Sequence, residues 1–117
     1  WILFDNHKVS GVAGNLRFLM NFLPEEKRNA DVIAFQAARL KSALRVVEKQ
    51  LTGRDWLATD TITTADIAVA GYLFYPEPFT FDRGDYPNID AWLDRIAGRP
   101  GWKHPYDLMP GSPADRA

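Results

Sequence analysis

The sequence predicts an all-α fold, a helical bundle of two long antiparallel helices with two or three shorter ones. Three observations carry this. Apolar residues recur at three- and four-residue spacing through two long stretches, almost no stretch alternates with period two, and Pro24, Gly53, Pro76 and Gly98 fall at the ends of the periodic segments. The chain has 117 residues, the size of one domain with a single core. It has no Cys, which excludes disulfides, a thiolate zinc site and a cysteine nucleophile within this chain. Lys and Arg number 14 against 15 Asp and Glu, a net charge of −1 that argues against a nucleic-acid surface or a polybasic membrane patch. The longest nearly unbroken apolar run, Ile67 to Tyr75, is about half of what a spanning helix needs. Without a secretory leader pattern or a glycosylation sequon, a cytoplasmic home fits best. The chain opens inside an apolar run, Trp1-Ile2-Leu3-Phe4, and reads as a piece of a longer protein.

The first helix is expected from Trp1 to Leu23, with Val9, Val12, Leu16, Leu19, Met20 and Leu23 on the core-facing arc. Nearly opposite lie His7, Ser10, Gly11, Gly14, Phe18 and Phe22, with Phe4 close by. An ordinary surface helix has one apolar face, so this second face of small and aromatic residues is the candidate functional surface. Glycine costs a helix about 1 kcal/mol relative to Ala. Gly11 and Gly14 therefore read either as tolerated weak points or as sites where a ligand or partner approaches closely. The second reading is preferred, and a bulky residue at Gly14 is expected to leave the isolated domain within about 0.5 kcal/mol of its original stability. His7 is either a polar group of that pocket or an ordinary, partly exposed histidine.

Pro24 ends this helix. The second runs from about Asn29 to Thr52, with Ile33, Ala37, Leu40, Leu44, Val47 and Leu51 on one stripe and Lys41, Arg45, Glu48 and Lys49 on the far side; Gly53 closes it. Thr63 and Asp66 have the spacing of a capping box that starts a third helix, in which the Thr63 hydroxyl and the Asp66 carboxylate each accept a free backbone N–H of the first turn. Ile62 and Ile67 are spaced as the accompanying hydrophobic staple. Capping accounts for Asp66, and Asp66→Ala is expected to cost about 1–2 kcal/mol. This helix is expected to reach Tyr75, where Pro76 and Pro78 stop it. A fourth covers Tyr86 to Ile96, with Pro87 in its first turn and Ile89, Trp92, Leu93 and Ile96 inward. Trp102 to Tyr106 adds at most a short turn, and residues 110–117 read as a flexible tail.

Other chemistry finds little support. His7 and His104 are the only histidines and neither is paired at metal-ligand spacing. No Ser sits in a nucleophile elbow. Gly11-Val12-Ala13-Gly14 lacks the lysine of a phosphate loop. Arg83-Gly84-Asp85 reads as a turn before Pro87.

Three stretches resemble, in order, the C-terminal helical domain of the glutathione transferase superfamily, bacterial type. They are Trp1-Ile2-Leu3-Phe4-Asp5-Asn6; Trp56-Leu57 through Thr63-Thr64-Ala65-Asp66-Ile67; and Tyr86-Pro87-Asn88-Ile89 through Trp92-Leu93 to Arg99-Pro100-Gly101-Trp102. The second departs from the family pattern with Thr59 for its usual Gly and Thr63 for its common Ser. The resemblance covers residues 1–109. It implies that an N-terminal thioredoxin-like domain, absent from this chain, binds glutathione as co-substrate and carries the residue that activates its thiol. By the same resemblance the helical domain supplies the wall for a small hydrophobic electrophile, chiefly from the first helix (His7, Ser10, Gly11, Gly14, Phe18), and part of a homodimer surface. No catalytic residue, metal, nucleic acid or membrane is assigned to this piece, which alone is expected to be inactive. The alternative is a non-catalytic interaction or scaffold domain of the same fold. Which electrophile is used, and whether the parent conjugates, reduces disulfides or reduces peroxides, is left open by these residues.

Overall fold

A computed structural model describes residues 1–109 of the chain; the expected tail at 110–117 lies outside the described residues. Every regular element among the described residues is helical: α1 (Ile2–Phe4), a π-turn (Asp5–Val9), α2 (Ser10–Asn21), α3 (Ala30–Gln50), α4 (Thr64–Ala70), α5 (Pro87–Ala97) and α6 (Pro105–Leu108), with short 3-10 turns at Glu25–Lys27, Gly71–Phe74 and Arg83–Asp85.

The expected first helix thus runs without a break from Ile2 to Asn21, but its hydrogen-bond pattern widens to a π-turn over Asp5–Val9. Between α1 and α2 the Ser10 N–H reaches back five residues to the Asp5 carbonyl, and the Ser10 hydroxyl donates to the Asp5 carboxylate at 2.7 Å. A π-turn takes one extra residue, so His7 and Phe4 are rotated out of register with α2. Gly11 makes room for it: a Cβ there would stand 2.5 Å from the Asn6 carbonyl oxygen.

α3 starts where Asn29 accepts from the N–H groups of Asp31 (3.0 Å) and Val32 (3.1 Å), and its interior of Ala, Leu, Arg, Lys and Gln is made of good helix formers. It ends two residues earlier than expected, at Gln50, and Gly53 at φ +69° turns the chain away. α3 packs along α2 and the π-turn, and α5 packs on α3. Val9, Val12, Ala13 and Leu16 meet Leu40, Leu44 and Val47, and the core continues through Leu57, Val69, Leu73, Ile89, Trp92, Leu93 and Ile96. Leu19, Met20 and Leu23, expected inward, are only half-buried at the end of the helix.

The third helix ends earlier as a regular α-helix than its sequence suggests, at Ala70, and tightens into the 3-10 turn Gly71–Phe74 before Pro76. At α5 the structure corrects the position of Glu48. It does not belong to the solvent face of α3: its carboxylate accepts the Asn88 N–H and the Ile89 N–H, each at 2.9 Å. These are the free donors of the first turn of α5, whose own N-cap, Tyr86, provides no side-chain cap.

Candidate functional site

The capped end of α4 sits at the centre of the domain. Asp66 is fully buried; its Oδ2 accepts the Thr63 N–H at 2.9 Å, and the Thr63 hydroxyl accepts the Ala65 N–H at 3.3 Å. The other carboxylate oxygen, Oδ1, accepts the Leu57 N–H and the Trp92 indole N–H, both at 2.9 Å. One carboxylate therefore joins the start of α4, the loop before it and α5. Capping does not account for all of Asp66, and the sequence signal covered only its local half. Ile62 packs against the core, whereas Ile67 is 55% exposed, so the second half of the expected staple faces out of the domain.

The candidate face on α2 divides in three. His7 and Gly11 are exposed and Phe18 is 44% exposed, and these form its open part. Ser10 is half-buried and its hydroxyl is committed to Asp5, itself buried. Gly14 has a partner inside the domain, contrary to expectation: a Cβ there would meet the Tyr72 ring carbon Cζ and the phenol oxygen at 3.0 Å. The face was expected to be unpartnered because Tyr72 is far away in sequence, on the turn after α4.

Further along α2, Arg17 lies over the Tyr75 ring at 4.2 Å and the Phe22 ring at 4.9 Å, its Nε donates to Glu77 at 3.0 Å, and its Nη2 donates to the Tyr106 hydroxyl, which in turn donates to Glu77. Burial pushes the Glu77 carboxyl upward, but the hydrogen bonds from Arg17 and Tyr106 outweigh it and hold the group below the usual carboxylate range. The Tyr106 phenol is raised, by burial first and then by its bond to Glu77. Arg17 is held still more firmly protonated, its bonds to Glu77 and Tyr106 outweighing the opposing effect of burial. Nothing in the local spacing of residues 17, 77 and 106 signals this cluster.

A second open surface lies on the other side of the first helices. Phe4 and Lys8 share a groove of about 380 Å³ with Phe35, Arg39, Ser42 and Val46 of α3. Phe35 is 65% exposed and Val46 48%. The signal was available in sequence: Val32, Phe35 and Val46 are apolar yet lie off the core stripe of α3. Arg83-Gly84-Asp85 is a 3-10 turn whose arginine pairs with Asp90 and Asp94 of α5. Among the described residues no group of His, Asp or Glu is arranged to hold a metal ion, and no helix is long and apolar enough to cross a membrane.

The open part of the first helices at Phe18 and the groove between Phe4 and α3 leave apolar surface uncovered, as in helical domains that bury surface against a ligand or another body. Residues 16–100 match the family model described as glutathione S-transferase, C-terminal domain. The chain belongs to the glutathione S-transferase family, as its C-terminal helical domain. It is 35% identical over 79 residues to a probable glutathione S-transferase of Oryza sativa subsp. japonica, covering 64% of this chain and 35% of that one. It is similar in structure to a glutathione S-transferase of Xanthobacter autotrophicus Py2 (TM-score 0.82, 31% identity, 90% of this chain and 52% of that one). A glutathione S-transferase of Pseudomonas fluorescens is comparably similar (TM-score 0.77, 30% identity, 86% and 50%). The chain thus spans about a third of that curated relative and about half of the solved chains.

Proposed function

We propose that this domain forms the electrophile-side wall of a cytoplasmic, bacterial-type glutathione S-transferase that works as a homodimer. Glutathione is bound and its thiol activated by a thioredoxin-like domain of the same protein. The observation that carries this reading is the open part of the first helices, His7, Gly11 and Phe18, with Gly14 beside it beneath the Tyr72 ring. Ser10 contributes through the π-turn it fixes with Asp5. Keeping a thiol ionised needs donors and positive charge around sulfur, whereas a hydrophobic second substrate needs mainly an apolar wall. The groove on α3 lined by Phe35 and Val46 is suited to the second subunit, because an apolar strip on one long helix readily packs on its own copy about a two-fold axis.

Two measurements test the assignment. Calorimetric titration of the 117-residue chain with glutathione should give no saturable heat, and a generic aromatic electrophile should not be conjugated. Saturable micromolar binding to this chain alone would overturn the division of labour. In the full-length parent, Phe18→Ala should raise KM for the electrophile with little change in KM for glutathione; the reverse pattern would move the electrophile wall elsewhere.

A further inference from the structure

Among the described residues the last buried core residue is Ile96, yet residues 99–109 run back across the domain. Directed contacts hold them there. Trp102 lies against Phe74 with ring centroids 5.1 Å apart. The Tyr106 N–H donates to His104 Nδ1 at 3.2 Å, which leaves the proton on Nε2, and Nε2 donates to the Phe74 carbonyl at 2.8 Å. The Tyr106 ring packs on Tyr75 at 5.0 Å, while its hydroxyl joins Arg17 and Glu77. Beneath this segment is an apolar cleft of about 330 Å³, with Ile67 and Phe74 on one wall, Trp102, Lys103 and Leu108 on the other, and Ile96 also lining it. The segment leaves α5 through a turn in which the Trp102 N–H donates to the Arg99 carbonyl at 3.1 Å and Gly101 takes φ +81°, a conformation L side chains rarely adopt.

We propose that residues 99–109 are a hinged strap over this cleft, pivoting at Gly101 and held shut on α2 by the Tyr106–Glu77–Arg17 cluster. A segment fixed by a few polar contacts and partly exposed rings opens at a lower free energy than the core it lies on. The contact that matters most is the Tyr106 hydroxyl, since it bonds both members of an ion pair whose side chains are about one-sixth exposed. Opening the strap uncovers the Phe74 wall and frees one side of Arg17, which is next to Phe18 and about one helical turn from Gly14. The C-terminal segment is thereby coupled to the helix bearing the candidate face.

The test uses the intact chain and its Tyr106→Phe variant, which keeps the ring on Tyr75 and removes only the hydroxyl. Loss of hydrogen bonds to charged groups should raise amide exchange in residues 99–109 about tenfold, together with tryptic cleavage after Lys103. In every chain residues 99–109 should exchange faster than the amides of α3 and α5 and with little dependence on urea, as a local opening does. Glu77→Gln should produce the same local pattern. Unchanged exchange and cleavage in both variants would overturn the proposal, and so would protection of residues 99–109 equal to that of α3 and α5 with the same urea dependence, which would make residues 99–109 part of the cooperative core.

Discussion

Asp66 holds the indole N–H of Trp92 at 2.9 Å across 26 positions of sequence, with the carboxylate fully buried and every described partner a donor. Replacing it with Ala removes the acceptor for the Leu57 and Trp92 N–H groups as well as for Thr63. A lost cap costs about 1 kcal/mol. Buried donors left without a partner cost about 1–3 kcal/mol each. Asp66→Ala should therefore destabilise the chain by about 3–5 kcal/mol, and Trp92→Phe by less. Urea midpoints decide between the two accounts; a loss near 1 kcal/mol for Asp66→Ala would reduce the residue to its capping role.

Glu48 is the non-local counterpart. Its carboxylate spans the Asn88 and Ile89 N–H groups at the positive end of α5. Glu48→Ala should cost about 1–2 kcal/mol, and Glu48→Gln less, because the amide keeps one acceptor. Exchange of the first amides of α5 should rise in step. If Glu48→Ala leaves the midpoint within error, the contact contributes no net stability.

What the sequence made legible was the part of the fold that lies within one turn of a helix. Stripes on α3 and α5, the Asn29 and Thr63 starts and the proline stops all depend on residues three or four apart, and such spacing is visible in a string of letters. Asp66 shows the boundary: its Thr63 bonds follow from a three-residue interval, while its bonds to Leu57 and Trp92 follow from how α4 and α5 cross. Glu48 looked like one more surface charge until the end of α5 was placed against it. The π-turn escaped because Asp5 and Ser10 stand five apart, a spacing that matches no α-helical pairing. The Arg17–Glu77–Tyr106 cluster joins three distant segments and has no sequence signature at all.

Gly14 and Gly11 are glycines for two different reasons, and substitutions should separate them. At Gly14 a bulky side chain must displace the Tyr72 phenol, which a Cβ alone already meets at 3.0 Å. Gly14→Phe should cost the isolated domain about 1–3 kcal/mol, and the penalty should shrink in a Tyr72→Ala background. An effect below about 0.5 kcal/mol would return Gly14 to the open surface. At Gly11 the obstacle is backbone, so Gly11→Ala should be destabilising whatever occupies position 72, as a thermal melt of the double variant would show.

Acid should weaken the attachment of Glu77 to Arg17 and Tyr106 in a defined window. The carboxyl titrates lower in the folded chain than in the unfolded one, because the hydrogen bonds of Arg17 and Tyr106 overcome the opposing effect of burial. The unfolded chain therefore binds a proton first as pH falls. The stability this provides is fully present above the ordinary glutamate value of about 4.3 and is lost as pH drops through the lower folded value. The facing groups are Arg17, which stays charged throughout, and the Tyr106 phenol, which stays protonated because its own value is raised. At neutral pH, Glu77→Gln should be less stable than the natural chain by about 1 kcal/mol. Thermal melts from pH 7 to pH 3 should show the two curves converging at the acid end. A constant gap across that range would mean that the Glu77 charge contributes nothing to the cluster beyond its shape.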